Sequence, residues 1–270
     1  MSIYYFITSP DDLTQPLTHP RIGYQTITRL PGVVVTATAA SGFAFDGPLR
    51  PDTYERWKPT AVPASWQIDA LAAQDVDYVG IAAHTLGTSG CEFVMQYSSD
   101  AVTWTDFGES LIVANNAPVM ILADEVSARY WRLRVLSGAA PEVGVVYIGK
   151  ALALQRRIYG GHTPITLSRE TMIRPQKSEG GQFLAKTIIR RGVKTSASIL
   201  HITPDWYRDN FDPFVLSARQ YPYFWAWYPS RFPKEVGYVW TGDDIAPSNM
   251  GTGKGWMQVD WNMEGFADAD

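Results

Sequence analysis

The sequence has 270 residues, a formal charge of −4 at pH 7 and a pI near 5.6. This length suits one large domain or two ordinary ones, and the acidic balance argues against a nucleic-acid binder that relies on neutralising phosphates. Aromatic residues make up 13% of the chain and charged residues only 19%, the reverse of the balance in disordered chains. With 22 Gly and 18 Pro, the composition predicts a globular, β-rich chain with many turns.

The single cysteine and the first residues bear on where the chain is made. Because Cys91 has no second cysteine to pair with, neither an intrachain disulfide nor a thiolate metal cluster can form. We predict that Cys91 is a small buried residue. The N-terminal segment MSIYYFITSPDDL has no positive region and no long apolar region, so we expect no signal peptide. No window approaches the roughly eighteen apolar residues of a membrane-spanning helix, so we expect no membrane insertion. We expect the protein to be assembled in a cytoplasm.

Residues 1–107 begin with a lead-in and then show the clearest strand pattern. Two lead-in strands are predicted at residues 3–7 and 33–38, followed by a turn-rich loop over 41–63. From residue 66 to 107 apolar side chains alternate with polar or small ones, as Val79, Ile81 and Ala83 do, the period of a strand with two distinct faces. Further strands are predicted at 93–97, 118–122, 129–135 and 144–154. Turn residues recur between them at the spacing of a β-sandwich or jelly roll.

The character of the chain changes near residue 158, where a turn-rich junction follows. We therefore predict lead-in strands over 1–40, a jelly roll over 41–158 and a second β-rich domain over 159–270. Thr203, Pro204 and Asp205 have the residue types of a helix start, so one or two short helices are expected between residues 204 and 220. Strands are predicted at 183–190, 195–202, 236–241 and 256–266. The fold class is thus mainly β, a jelly-roll β-sandwich followed by a second β-rich domain.

Catalytic motifs are missing from the sequence, and no enzymatic activity is predicted. Residues 251–255 resemble a phosphate loop but lack the Ser or Thr that must follow Lys254, so a hairpin connection is the better interpretation. The four histidines form no ligand pair, and no nucleophile elbow occurs. Loop carboxylates leave two alternatives open, glycoside hydrolysis by a pair of acids and a structural calcium ion held by Asp52 and Glu55. No other cofactor is expected. The loop acids are Asp46, Asp52, Glu55, Asp243 and Asp244.

The densest aromatic stretch spans residues 221–229. Alternation places Trp225 and Trp227 on one face of a strand and Phe224 and Tyr228 on the other, so both faces are aromatic. We interpret this as a strand covered by its own core on one face and by a neighbouring subunit on the other. The alternative is stacking of exposed rings on sugars, whereas the acidic pI disfavours stacking on bases. The predicted oligomer interface comprises Tyr223, Phe224, Trp225, Trp227 and Tyr228.

Several short segments between residues 43 and 154 occur in the order of a known domain family. They are TYERW at 53–57, WQID at 66–69, DYVGIAAH at 77–84, QYSSD at 96–100 before Trp104, and ARYWRL at 128–133. The stretch resembles galactose-binding-like jelly rolls of the discoidin or coagulation-factor C type. The resemblance implies a sandwich of a family that usually binds ligands. The cysteine pair that staples many secreted discoidin domains is missing here, which fits assembly in a cytoplasm.

The whole arrangement also resembles a group of tailed-bacteriophage proteins in which this domain precedes a second β-rich part. The segments that carry this resemblance are YIGKAL at 147–152, YGGH at 159–162, WYR at 206–208, FDPF at 211–214, PYFWAWYP at 222–229 and EVGYVWT at 235–241. The resemblance implies a tail-tip or baseplate component similar in role to distal tail proteins. It further implies a location in the virion and partners such as the tail tube, the tape measure and the baseplate hub.

Two hypotheses about function follow. The first is a structural protein of a phage tail tip, a homo-oligomeric ring (hexamer or trimer) from which the jelly roll projects outward. The second is a receptor-binding module that recognises a host surface glycan through the aromatic loop at residues 46–66. The candidate glycan-binding residues are Tyr54, Trp57 and Trp66. An alternative for the last two is that Trp57 and Trp66 plug the end of the barrel.

Overall fold

A computed structural model describes residues 17–158, 160–251, 253 and 255–265. The strand predicted at residues 3–7 lies outside this range. The described strands, in chain order to the end of the jelly roll, are β1 (Arg21–Gly23), β2 (Val34–Thr36), β3 (Ala64–His84), β4 (Glu92–Ser98), β5 (Thr105–Asp106), β6 (Leu111–Ile112), β7 (Val119–Ser137) and β8 (Val143–Gly149). They continue with β9 (Leu152–Ala153), β10 (Glu170–Lys177), β11 (Phe183–Ile202), β12 (Tyr223–Ala226), β13 (Val236–Trp240), β14 (Pro247–Asn249) and β15 (Met257–Gly265).

The helical part lies between residues 204 and 218, as predicted. It starts with α1 (Pro204–Trp206), passes through a π-helical turn at Tyr207–Phe211 and ends with α2 (Asp212–Ala218). Thr203 precedes the helix in an extended conformation, and Pro204 occupies the first helical position, where its missing N–H costs no hydrogen bond. Two short 3-10 turns lie at Ile27–Arg29 and Gly47–Leu49. None of the helices in the described residues is long and apolar enough to cross a membrane.

The predicted jelly roll is confirmed as a seven-stranded arrangement. Its strands follow the order β2-β3-β7-β4-β5, with β6 paired to β4 and β8 paired to β3. Strands β3 and β7 are long, and register shifts between Asp69 and Gln74 and between Val76 and Tyr78 interrupt their pairing. Such irregularities bend a strand, so each of the two contributes to both layers of the sandwich. Between the layers lies an apolar core that includes Trp66, Phe93, Met95, Trp131, Leu133 and Val146.

The second sheet has eight strands in the order β10-β11-β15-β13-β12-β1-β9, with β14 paired to β15. Its two strands β1 and β9 pair with each other through Arg21 with Ala153 and Ile22 with Leu152. The chain therefore enters and leaves the jelly roll through neighbouring strands of this sheet. The domain boundaries at residues 40 and 158 stay a prediction. The strand pairing shows in addition that β1 and β9 belong to the same sheet as the strands between residues 170 and 265.

Strand β12 lies between two hydrophobic cores. Tyr223 and Trp225 pack in the core of the second sheet, together with Phe214 and Trp261. Phe224 instead packs against the jelly roll in a third cluster. This third cluster comprises Leu17, Tyr78, Ala82, Met120, Leu122, Val145, Tyr147, Phe224, Ala226, Val236 and Tyr238. Both faces of β12 are thus covered within one chain.

This arrangement corrects the oligomer interface predicted for the aromatic strand. Tyr223, Phe224 and Trp225 are fully buried, so their side chains have no surface to offer a second copy. The alternation correctly indicated a strand with two covered faces, but the second cover is the chain's own jelly roll. Trp227 and Tyr228 are half-buried in the turn that follows, where the Trp227 ring stacks on Phe232 with 5.2 Å between centroids.

Close packing and hydrogen bonds hold the two sheets together at this junction. Gly80 lies under Phe224, and a Cβ added to it would sit 2.5 Å from the ring. The Tyr147 hydroxyl donates to the carbonyl oxygen of Pro222 at 3.1 Å, and the Tyr238 hydroxyl donates to that of Pro51 at 2.5 Å. The buried hydroxyls therefore have partners across the junction, which removes the penalty of desolvating them.

Phe224 offers a direct test of the junction. Phe224→Ala should lower the free energy of unfolding by about 3–5 kcal/mol, because the substitution opens a cavity between two packed sheets. Equilibrium denaturation by urea measures the change. The control is Ile112→Ala, a residue 61% exposed, for which we expect a change within about 0.5 kcal/mol. Equal changes for the two variants would contradict the packing described for Phe224.

Asp77 makes the stability of this region depend on pH. Its carboxylate accepts a hydrogen bond from the Ala151 N–H at 2.7 Å. Burial is the largest influence and raises the pKa of Asp77 from 3.8 to about 6, against the smaller lowering effects of that hydrogen bond and of Lys150 and Arg21. The folded chain therefore binds this proton more tightly than the unfolded chain does.

The sign of the pH effect follows from this raised pKa. The contribution of Asp77 is fully present below about pH 4 and is lost as the pH rises to about 6. In Asp77→Asn this decline should disappear, because the amide does not titrate but still accepts the Ala151 N–H. Urea denaturation of both proteins at pH 4, 5, 6 and 7 measures the difference. Parallel stability curves over this range would refute the assignment.

Candidate functional site

The loop between β2 and β3 forms the candidate site at one end of the sandwich. Backbone bonds tie it to the start of β8, since Trp57 and Val143 exchange N–H to carbonyl bonds of 2.8 Å in both directions. The loop also closes on itself, because the Ala40 N–H donates to the Lys58 carbonyl at 2.8 Å. These bonds keep a long connection in a defined shape, as a binding surface on a rigid scaffold requires.

The two tryptophans predicted to bind a glycan lie inside this structure. Trp57 and Trp66 are both 0% exposed. The indole N–H of Trp57 donates to the Thr38 carbonyl at 2.8 Å, and that of Trp66 donates to the Phe45 carbonyl at 3.0 Å. Each buried indole thus has a hydrogen-bond partner for its N–H group, and each of these bonds ties a core tryptophan to the backbone of the segment before β3. The assignment of Trp57 and Trp66 to ligand contact is therefore corrected, because both side chains lie in the hydrophobic core of the sandwich. The alternative that they plug the end of the barrel stays a prediction.

Tyr54, the third predicted residue, has the opposite environment. Its side chain is 91% exposed, although its backbone is well held. The Asp52 carboxylate accepts the Tyr54 N–H at 3.1 Å and the Glu55 N–H at 3.0 Å, which fixes a tight turn at this point. The ring thus projects into solvent from a constrained backbone.

Tyr54 stands at the edge of an open cleft of about 700 Å³. The cleft is lined by Gly42, Phe43, Ala44, Thr53, Tyr54, Glu55, Arg56 and Glu142. Seven of these residues come from the loop before β3, whereas Glu142 comes from the turn between β7 and β8. The Glu142 N–H donates to the Thr85 hydroxyl at 2.8 Å, so the turn that carries this carboxylate is anchored to the end of β3.

Two groups of ion pairs involve charged residues that line the cleft. In the first group, Arg50 bonds Glu55 at 2.8 Å and Asp46 at 3.3 Å. In the second group, Glu142 bonds Lys58 at 3.2 Å and Arg56 at 3.5 Å. All of these side chains are partly exposed, and partly exposed pairs contribute little to folding, about 0–1 kcal/mol each. Their effect is to hold charged hydrogen-bonding groups in place beside an exposed aromatic ring.

The structure shows no metal centre in the part of the chain that it describes. No group of three or more His, Cys, Asp or Glu side chains there could hold a metal ion. The structural calcium ion considered for Asp52 and Glu55 stays a prediction. One Asp52 oxygen already accepts two backbone N–H groups, and Glu55 already pairs with Arg50.

Cys91 and His84 are buried residues whose polar atoms are hydrogen-bonded within the sandwich. Cys91 is buried, as predicted, and its thiol donates to the Ala139 carbonyl at 2.9 Å; burial raises its pKa. His84 is fully buried between the Ala117 carbonyl, 3.0 Å from Nε2, and the Leu86 N–H, 3.3 Å from Nδ1. Burial lowers the pKa of His84 to about 4, so its ring is neutral at pH 7.

Comparison with known proteins finds a domain model that is similar to the sandwich. Residues 35–146 match the model of the F5/8 type C domain, which agrees with the discoidin resemblance noted in the sequence. Comparison with curated proteins gives no match.

Several solved structures are similar to part of the chain. The crystal structure of SpGH29 is 18% identical, with a TM-score of 0.39; the match covers 47% of this chain and 28% of that one. CpGH89CBM32-6 of Clostridium perfringens is 18% identical over 47% of this chain and 99% of its own, with a TM-score of 0.39. Chitosan-binding module 1 from a Paenibacillus sp. IK-5 chitosanase/glucanase is 13% identical, with a TM-score of 0.40, and covers 47% of this chain and 99% of its own.

Proposed function

We propose that the jelly roll is a carbohydrate-binding domain without catalytic activity, and that its ligand sits against Tyr54 in the cleft. The observation that carries this proposal is a tyrosine ring 91% exposed on a constrained turn at the edge of a cleft of about 700 Å³. Because the backbone that carries the ring is already fixed by the Asp52 carboxylate, little backbone freedom is lost when a ligand stacks on the ring. The match of residues 35–146 to the F5/8 type C domain supports the same function.

The chemistry of the cleft suits a sugar. A pyranose ring has an apolar face that packs on an aromatic ring, while its hydroxyls need donors and acceptors at the edge. Arg56 supplies donors, and Glu55 and Glu142 supply acceptors, all three in the lining of the cleft. Because Arg50 and Lys58 hold the two carboxylates in place, these acceptors are positioned before a ligand arrives.

Tyr54 provides the first test of this function. Tyr54→Ala should weaken binding of a bacterial surface polysaccharide at least about tenfold, equivalent to about 1.4 kcal/mol, because the stacking surface is lost. Thermal stability should stay within the range of surface substitutions, since the Tyr54 side chain is almost fully exposed. A glycan array identifies the ligand, and calorimetric titration of full-length protein gives the affinity.

The control for this test is Val102→Ala, a residue 81% exposed in the same sandwich. It should bind with wild-type affinity. If the full chain binds no polysaccharide on the array, or if Tyr54→Ala binds as tightly as Val102→Ala, the proposed site is wrong.

A second candidate function is a structural role in a phage tail tip or baseplate, in a homo-oligomeric ring of six or three copies. The support is the sequence resemblance of about residues 45–266 to a group of tailed-bacteriophage proteins, which implies a role similar to that of distal tail proteins. A second sheet that packs against the jelly roll is consistent with this arrangement. In this proposal the chain resides in the virion and contacts the tail tube, the tape measure or the baseplate hub. Its cleft would then face a host surface glycan from a fixed position.

Electron microscopy tests this second candidate. Antibody fragments raised against the purified chain should decorate the tail tip of phage particles that encode it, because the sandwich faces outward in this arrangement. The same fragments should leave a particle lacking the gene product undecorated. Particles that assemble complete tails without the protein would exclude the structural role while leaving glycan binding by the cleft intact.

A further inference from the structure

A two-stranded arm stands apart from the rest of the second sheet. The arm is residues 170–191, which comprise β10 and the first part of β11, joined by a tight turn. Farther along β11, residues from Val193 onward pair with β15 and enter the core. Within the arm, by contrast, every strand residue over 171–177 and 183–191 is exposed. At about 3.3 Å per residue, the eight residues of β10 give the arm a length of about 26 Å.

The arm concentrates exposed apolar side chains. Of the sixteen large hydrophobic residues exposed among the described residues, six lie in these 22 positions. They are Met172, Ile173, Phe183, Leu184, Ile188 and Ile189, with exposures between 45% and 62%. An isolated two-stranded ribbon is only marginally stable in water, and a patch of this kind marks an interaction surface. The arm therefore has the features of a segment that another surface covers.

Charge indicates what kind of surface that is. Residues 170–191 contain five Lys or Arg and two Glu, a formal charge of +3 within a chain whose total is −4, so the remaining residues carry −7. An arm facing another arm would bring two basic ribbons together, which is unfavourable. An arm facing the acidic remainder of a second copy would pair opposite charges and would also bury its apolar side chains.

We propose that the arm docks on a second copy of this chain, outside that copy's own arm, where the residues carry a formal net charge of −7. Its 22 residues are within the range of about 20–30 residues that each partner contributes to a standard stable interface. Because arm and acceptor are different surfaces, the contact is head to tail, and repetition of it closes a ring or extends a filament. The proposal does not rest on glycan binding, since the cleft lies in the other sheet.

Other occupants fit the arm less well. Nucleic acid and anionic membranes would attract its five cations, but the remaining −7 of the chain opposes approach to either. The six apolar side chains also contribute nothing to phosphate recognition. An acidic protein partner with apolar positions satisfies both features of the arm, and a second copy, whose residues outside the arm are acidic on balance, is present at equal concentration.

Sedimentation velocity of the full chain tests the proposal. Between 1 and 100 µM (about the range of ordinary protein interactions), the wild-type chain should form oligomers that dissociate on dilution and weaken at high salt. The double variant Leu184→Asp with Ile189→Asp should associate at least about tenfold more weakly. Val102→Asp with Ile112→Asp, at comparably exposed positions of the sandwich, is the matched control and should associate like wild type.

Two charge-reversal variants test the electrostatic part of the proposal. Lys186→Glu should weaken association, whereas Lys234→Glu, also exposed but outside the arm, should not. Thermal melts of all variants show whether each still folds. A wild-type chain that stays monomeric at 100 µM overturns the proposal, as do arm variants that associate like wild type. A monomer whose arm binds phosphatidylserine vesicles or duplex DNA overturns it too, and assigns the arm to that partner. Glycan binding by Tyr54 would survive any of these outcomes.

Discussion

The burial of β12 between two cores is the constraint on which the rest of the molecule depends. Tyr223 and Trp225 face the helix and β15, while Phe224 faces the jelly roll across Gly80. A strand with aromatic rings on both faces has to be covered twice, and here one chain supplies both covers. Strands β1 and β9 pair beside it, so the polypeptide enters and leaves the jelly roll at the same place. The sandwich is consequently held to the second sheet by packing and by both of its chain ends.

This arrangement separates two surfaces with different chemistry. The cleft beside Tyr54 belongs to the sandwich, where Trp57 and Trp66 support its loop from inside. The basic, apolar arm belongs to the second sheet and takes no part in either buried core. Association through the arm, as proposed, would leave the cleft open to solvent. The proposed glycan binding and the proposed assembly with other copies therefore use different surfaces of the molecule.

Sequence patterns predicted the fold better than the site, for physical reasons. Alternation over residues 66–135 indicates a sandwich because each strand buries one face, and Pro204 after Thr203 indicates a helix start through local backbone geometry. Alternation also showed that β12 is covered on both faces, but it cannot say which surface covers it. Likewise, Tyr54 and Trp57 are both loop aromatics. Only Trp57 is buried, and its indole N–H finds its partner in the Thr38 carbonyl, 19 positions away. The cleft likewise needs Glu142, 84 positions from Lys58. Such distant pairings leave no local signal.

Native-state hydrogen exchange tests most directly whether β12 unites the two halves. If its double burial joins them, the amides of Tyr223–Ala226 should exchange only through global unfolding. Their opening free energy should then equal that of the most protected amides in β3 and β8 of the jelly roll. Exchange of the β12 amides at a clearly lower free energy, with β3 and β8 still protected, would contradict this account. It would show that the second sheet opens while the sandwich remains folded.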